Sequence, residues 1–237
     1  MTLAMASPVF AQETSDQTET SVSSDDPQID FAANAIEYDN DDDIVTAKGE
    51  VVMTRGDHLS GTDRVAEVAR TLRHDIIVNV QGDEPMLDPT SLDVLADLLR
   101  HNGDAPMATL GVPIRSRTQW NDPNCVKLVC DARGRALYFS RSPIPFVRDG
   151  EPDFAKFLGV FLQHIGLYAY RRNFLLDLAT WPPPPLEEME KLEQLRVLAN
   201  GHAIQVGIVA HASRGVDTPA DYERFVAEYR RMHQVAA

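Results

Sequence analysis

No apolar run in the chain reaches membrane-spanning length, so no segment is expected to cross a bilayer. Basic side chains are scarce: 22 Lys and Arg stand against 36 Asp and Glu, for a formal net charge of −14. That deficit argues against non-specific nucleic-acid binding, which needs clustered cations to displace counterions. An anionic nucleotide can still be held, because a local site decides that. Cysteine is nearly absent. Cys125 and Cys130 lie five apart in a stretch that reads as β, and an odd separation puts them on opposite faces of a strand. A local disulfide is therefore not expected. Neither belongs to a CxxC pair or has a His cluster nearby, which argues against zinc. Two buried thiols remain as the expectation.

What is present suits a folded protein. The 237 residues are 43% hydrophobic, enough for one α/β domain or two small ones. The charge is uneven: residues 1–50 hold 12 acidic side chains and one basic one, Lys48. The imbalance marks two unlike pieces. MTLAMASPVFAQET has a small-residue pattern before Gln12, as at the tail of a secretory signal. It reads equally as a disordered terminus. Residues 13–30 are polar, acidic and non-aromatic, so disorder is expected over 1–30. IEYD, NDDD and IVTAKGEVVMT then read as a short β-hairpin with an acidic turn at Asp39–Asp43. The turn lacks the Gly and final Glu of an EF-hand loop, which leaves a solvated turn.

After Thr54 the texture is α/β. A helix is expected over 62–72, and DIIVNV (75–80) reads as a strand buried on both faces. Helices follow near 89–101, 171–180, 186–199 and 218–234. Strands fall near 106–113, 125–130, 135–139, 163–170 and 203–210. The four prolines at 182–185 break the chain before the helix at Leu186. The alternation predicts a doubly wound, Rossmann-like, mostly parallel sheet with helices on both faces.

Several residues are placed to do chemistry. In VNVQGDEP (78–85), Asp83 follows the carboxyl end of a buried strand, where doubly wound sheets bind ligands; it could equally cap a helix. Asp217 in GVDTP precedes the last helix. The two carboxylates could together hold Mg²⁺, or be unrelated caps. Arg141 lies in FSRSPIPF, in a loop after a strand. In QHIGLYAY, His164, Gly166, Tyr168 and Tyr170 alternate onto one strand face, where a His is more often a satisfied core residue. Glu190, Glu193 and Gln194 fall at i, i+3 and i+4, on one helical face that could simply meet solvent.

Taken in order, MTRGDHLSGTDRVAEV, VNVQGDEP, NCVKLVCDARGRALYFSRSPIPF, HIGLYAY, LEEMEKLEQLRVL and GVDTPADYERF resemble the CMP-Kdo synthetase (3-deoxy-manno-octulosonate cytidylyltransferase) family from about Val52 onward. The resemblance implies CTP and the sugar acid 3-deoxy-manno-octulosonate (Kdo) as substrates, pyrophosphate release, Mg²⁺, a homodimer and a cytoplasmic location. It places His58, Ser60, Gly61, Thr62 and Arg64 near the nucleotide. Gln81, Arg141, His164, Tyr168, Glu190, Glu193 and Gln194 would line the sugar pocket, with Arg141 suited to the carboxylate. Asp83 and Asp217 would be the metal ligands. A different sugar acid, such as sialic acid, would keep the chemistry and change the pocket. Asp30 to about Arg55 resembles instead the start of the OstA-like repeat of periplasmic lipopolysaccharide-transport proteins. The expected organisation is thus a signal-like disordered segment at 1–30, an OstA-like hairpin at 31–51, and a truncated cytidylyltransferase-like domain at 52–237. A non-enzymatic, periplasmic assembly segment is the alternative reading.

One family feature has no counterpart: the PARxxSxRLPGKPL loop that cradles the CTP phosphates. Residues 1–51 contain no Arg and only Lys48, so they offer little to a triphosphate. A fusion or a spliced sequence near Val51–Arg55 accounts for this, and turnover of CTP is expected to be weak or absent. Robust pyrophosphate release from CTP plus the sugar acid would contradict that expectation.

Overall fold

The apolar run at 76–80 can be accommodated only in a sheet covered on both faces, and the computed structural model builds that sheet around it. The structure describes residues 3–6, 31–32, 35–39, 44–48, 52–58, 60–81, 87–212, 215–216 and 218–234. In chain order the elements are β1 (Leu3–Ala6), β2 (Phe31–Ala32), β3 (Ala35–Asp39), β4 (Ile44–Lys48), β5 (Val52–Met53), α1 (Gly61–Thr71) and β6 (Ile76–Gln81). Then come α2 (Pro89–His101), β7 (Met107–Pro113), α3 (Arg117–Asn121), β8 (Lys127–Cys130), β9 (Ala136–Ser140) and β10 (Leu162–Arg171). The chain continues through α4 (Arg172–Leu178), α5 (Pro185–Glu190), α6 (Gln194–Ala199), β11 (Ile204–Ile208) and α7 (Pro219–Gln234). Among the described residues no helix is long and apolar enough to cross a membrane.

The main sheet has seven strands in the order β1-β6-β10-β7-β11, with β8 also on β10 and β9 beyond β8. Strands β1, β6, β7, β8 and β11 share one direction, while β9 and β10 oppose it. Five strands share a direction, but of the six pairings two are parallel and four antiparallel, so the expected mostly parallel sheet is corrected to a mixed one. The physical reason is β10, which runs antiparallel between the parallel pairs β1/β6 and β7/β11. The expected hairpin is present as β3 and β4, closed by Asp39 opposite Ile44. Leu3–Ala6, inside the stretch expected to be disordered, instead pairs its backbone with the otherwise open edge of β6, Leu3 opposite Val78. The remainder of residues 1–30 lies outside the described residues.

Alternation along the strands divides the core. Ile77, Met107 and Tyr170 face α1 and α4 with Val65, Ala69 and Leu175. Val78, Ala108 and Ala169 face the other way, onto Leu95 and Leu99 of α2. Ser60 caps α1 by accepting from the Asp63 N–H at 3.2 Å, and Asp88 with Pro89 opens α2. Two consecutive arginines then tie both helices to β10. Arg171 Nη2 donates to Leu99 O at 2.8 Å at the end of α2, and Arg172 Nε donates to Ala69 O at 2.8 Å at the end of α1. A guanidinium satisfies orphan carbonyls at the negative end of each helix.

The helix expected over 186–199 is two helices. Lys191 sits at φ 54 in the left-handed region, and its N–H closes α5 on Glu187 O at 2.7 Å. The chain turns there so that Leu192 enters the core and Arg196 returns to Glu187, with Nε–Oε2 at 2.8 Å and Nη2–Oε1 at 2.5 Å. This bidentate pair is buried on both sides, so the bend is clamped. Cys125 and Cys130 are free thiols, as expected, but only Cys125 is buried and Cys130 is half-buried; desolvation pushes both up to about 11. Arg171→Met removes the cation from the last turn of α2 and leaves carbonyls unpaired. The expected loss is about 2 kcal/mol, read from urea midpoints.

Candidate active site

Strand β10 carries the site because its face toward α1 is lined with polar-tipped rings. His164 and Tyr168 lie with ring centroids 5.5 Å apart, and Tyr168 and Tyr170 at 6.0 Å. The register slips between Ile165 and Tyr168, a β-bulge that places Gly166 on the rim beside Gln81. Across from this face, α1 brings Gly61 and Thr62, and the bend after Lys191 brings Glu193 and Gln194. Between them lies a cavity of about 430 Å³, which also touches Asn79 and Asn124. It opens at the carboxyl end of β6, where doubly wound sheets bind ligands.

The polar groups are only partly satisfied by the protein. Thr62 Oγ1 donates to Glu193 Oε2 at 2.5 Å, and the Tyr168 hydroxyl donates to Gln194 Oε1 at 3.2 Å. Burial, then the neighbouring Tyr170 and Glu193, pushes the Tyr168 phenol well above its usual range, so it acts as a donor rather than a base. Burial likewise raises Tyr170. Among the described residues two buried side-chain atoms find no partner: Asn79 Oδ1 and Gln194 Nε2, on residues only 4% exposed. A buried acceptor and a buried donor left without protein partners are costly to the unliganded fold.

Seven expected site residues therefore converge: Gly61, Thr62, Gln81, His164, Tyr168, Glu193 and Gln194. Ser60 sits at their edge as the cap of α1. The single helical face expected for Glu190, Glu193 and Gln194 is corrected by the break at Lys191. Glu190 turns instead to β9, accepting from Ser140 Oγ at 2.7 Å and from the Arg141 N–H at 2.9 Å. Arg141 donates through Nε to Glu190 O at 2.8 Å and through Nη1 to Pro123 O at 3.1 Å, beside the cavity rather than in its lining. His58 is hydrogen-bonded to Glu67, chiefly through which the Glu67 carboxyl is held low. Arg64 Nη1 donates to Thr54 Oγ1 at 2.9 Å and Arg55 O at 3.3 Å, on the outer side of α1. Asp83 and Asp217 lie outside the described residues. Among the described ones, no group of three or more His, Cys, Asp or Glu is arranged to hold a metal ion.

Asn79, Asn124 and Lys191 were not anticipated. Asn79 carried a legible signal: it is the lone polar residue inside the buried run IIVNV. His164 is neutral, since burial pushes its imidazole down to about 3. The unfolded chain, titrating near 6.5, binds a proton that the folded chain refuses. Stability therefore falls as pH drops below about 6.5, by about 1.4 kcal/mol per pH unit from this group. Between pH 7 and 5 the wild-type chain should lose about 2 kcal/mol more than His164→Gln, measured by urea unfolding. Equal losses would contradict the assignment.

Comparison with known proteins identifies the family. A cytidylyltransferase family model matches residues 13–204, beginning upstream of position 52, where the sequence resemblance starts. A 3-deoxy-manno-octulosonate cytidylyltransferase of Syntrophobacter fumaroxidans is 50% identical over 181 residues, covering 75% of this chain and 71% of its own length. The Solibacter usitatus protein of the same name is 48% identical over 198 residues, covering 82% and 77%. A solved CMP:2-keto-3-deoxy-manno-octonic acid synthetase, complexed with CTP, superposes with a TM-score of 0.71 at 42% identity, covering 76% of this chain and 72% of that one. The ordered motifs, the ring-lined cavity at the sheet's carboxyl edge and these likenesses lead to one assignment: the chain belongs to the cytidylyltransferase family, on its 3-deoxy-manno-octulosonate branch.

Proposed function

We propose that the site is built to join a cytidylyl group from CTP to 3-deoxy-manno-octulosonate, with pyrophosphate as the second product, at a turnover weakened because the PARxxSxRLPGKPL loop has no counterpart. The observation that carries this reading is the polar wall of a cavity large enough for a sugar, where Gln81, His164, Tyr168, Glu193 and Gln194 stand together. A hydroxyl-rich ligand both donates and accepts, which suits a wall of mixed donors and acceptors. The sugar's anomeric oxygen would form a bond to the α-phosphorus as the bond to the β-phosphate oxygen breaks, the hydroxyl giving up its proton. Gln81, His164, Tyr168, Glu193 and Gln194 would orient the sugar. Glu190 holds the backbone of Arg141 in place at the cavity's edge, ready for a carboxylate.

Mg²⁺ belongs to this reading, and the donor set suits it: two carboxylates, with phosphates and water completing the shell. Asp83 stands two residues beyond the cavity residue Gln81 and would supply one carboxylate, Asp217 the other. Bound there, the ion would supply charge neutralisation at the departing pyrophosphate. His58, Ser60, Gly61, Thr62 and Arg64 would form the nucleotide side. The reading carries a homodimer with it, for which Phe146, Phe157, Leu158 and Val160, exposed on the loop between β9 and β10, offer an apolar surface. It also implies the cytoplasm, where CTP is made and used.

The test separates ligand binding from folding. Asn79→Leu should weaken binding of the sugar acid about tenfold or more by calorimetry, while leaving the unliganded chain as stable or more so. Retention of full affinity by that variant would sink the assignment.

A further inference from the structure

His164 reaches the cavity from β10, and one side chain holds its ring from behind. Thr109 on β7 is completely buried. Its Oγ1 lies 3.0 Å from His164 Nε2, 2.8 Å from Leu167 O and 3.2 Å from Ile165 O. The two carbonyls belong to the bulge of β10, where the register slips past Thr109. A hydroxyl has one hydrogen to give, and carbonyl oxygens can only accept. If that hydrogen went to Nε2, the hydroxyl's lone pairs would face two carbonyl oxygens in a dry interior, with nothing between them. The hydrogen therefore goes to Leu167 O, and Oγ1 receives one from the ring.

Nε2 must then carry the imidazole hydrogen. A neutral imidazole has only one N–H, so Nδ1 is left with a bare lone pair. Burial keeps the ring neutral, its pKa held down to about 3. Among the described residues no protein group hydrogen-bonds Nδ1, and His164 lines the cavity. Asn79 Oδ1 is a second bare acceptor there, and Gln194 Nε2 a donor.

We propose that Thr109 is a positioning residue that fixes the His164 tautomer, so that this wall of the cavity recognises hydroxyl groups of the sugar acid rather than its carboxylate. A carboxylate has no hydrogen for Nδ1, whereas a sugar hydroxyl can give one. The proposal rests on the sugar-acid reading of the cavity for its ligand, and on the unliganded chain alone for the tautomer.

Two-bond ¹H–¹⁵N correlation spectra of the full chain, labelled at histidine and assigned with His164→Gln, read the tautomer directly. The wild type is expected to carry the hydrogen on Nε2. Thr109→Val should populate the other tautomer and weaken binding of 3-deoxy-manno-octulosonate about tenfold by calorimetry. Thr109→Ser, which keeps the hydroxyl, should retain the wild-type spectrum and stay within about threefold. An Nδ1–H ring in the wild type, or unchanged affinity in a folded Thr109→Val, overturns the proposal. If Thr109→Val does not fold, the wild-type and Thr109→Ser spectra still decide the tautomer. A wild-type chain that does not bind the sugar acid overturns the functional reading and the hydroxyl selection with it, while the spectrum of the free chain still decides what Thr109 does.

Discussion

Strand β10 is the piece on which the rest of the described structure depends. It hydrogen-bonds to β7 on one side and to β6 and β8 on the other, running against all three. The parallel pair β1/β6 and the parallel pair β7/β11 meet only through it. Its last residue, and the residue after it, cap the two helices that cover opposite faces of the sheet. One face of the same strand supplies the rings of the cavity. Because strand side chains alternate, a slip of one residue would send His164, Tyr168 and Tyr170 to the side of α2 and put Ile165 and Ala169 in the cavity. Sheet continuity, helix capping and the site thus share one register.

Within that frame the cavity is a place where ordinary polar satisfaction has been relaxed. Elsewhere a buried cation such as Lys127 finds carbonyl partners, donating to Cys125 O at 2.6 Å and Asp122 O at 2.7 Å. Around the cavity an amide oxygen of Asn79 and an amide nitrogen of Gln194 find no partner among the described residues. Local departures from best stability are expected where a site must bind something. The bulge in β10 belongs to the same pattern, for it opens the strand pairing and gives Thr109 two carbonyls and a ring to serve.

Much of the fold was legible because its signals are local. The apolar strand at 76–81, the capped helix at 61–71 and the alternating rings of β10 follow from periodicity and caps. The reversal of β10 was not legible, since a buried strand reads the same whichever way it runs. Nor was the break at Lys191. A charged residue within a helical pattern gives no hint of a left-handed torsion, which here depends on Leu192 finding the core and Arg196 finding Glu187. The site divides the same way. Gln81, His164, Tyr168, Glu193 and Gln194 were found through ordered motifs, and all five line the cavity. Thr109 was passed over because MATLGVP looks like any core strand; its importance comes from the bulge opposite, a tertiary feature.

The torsion at Lys191 has one more consequence. Glu190 and Glu193, three positions apart, address different neighbours: the first serves the loop holding Arg141, the second the cavity itself. The division is set by the path of the main chain, with the Glu187–Arg196 pair as its buckle. Side chains on either side of the bend can therefore be exchanged during descent without rerouting the wall. Relatives could diverge in what they admit while inheriting the same contour, the shape of the chamber being stored in a backbone angle and its taste in the residues hung upon it.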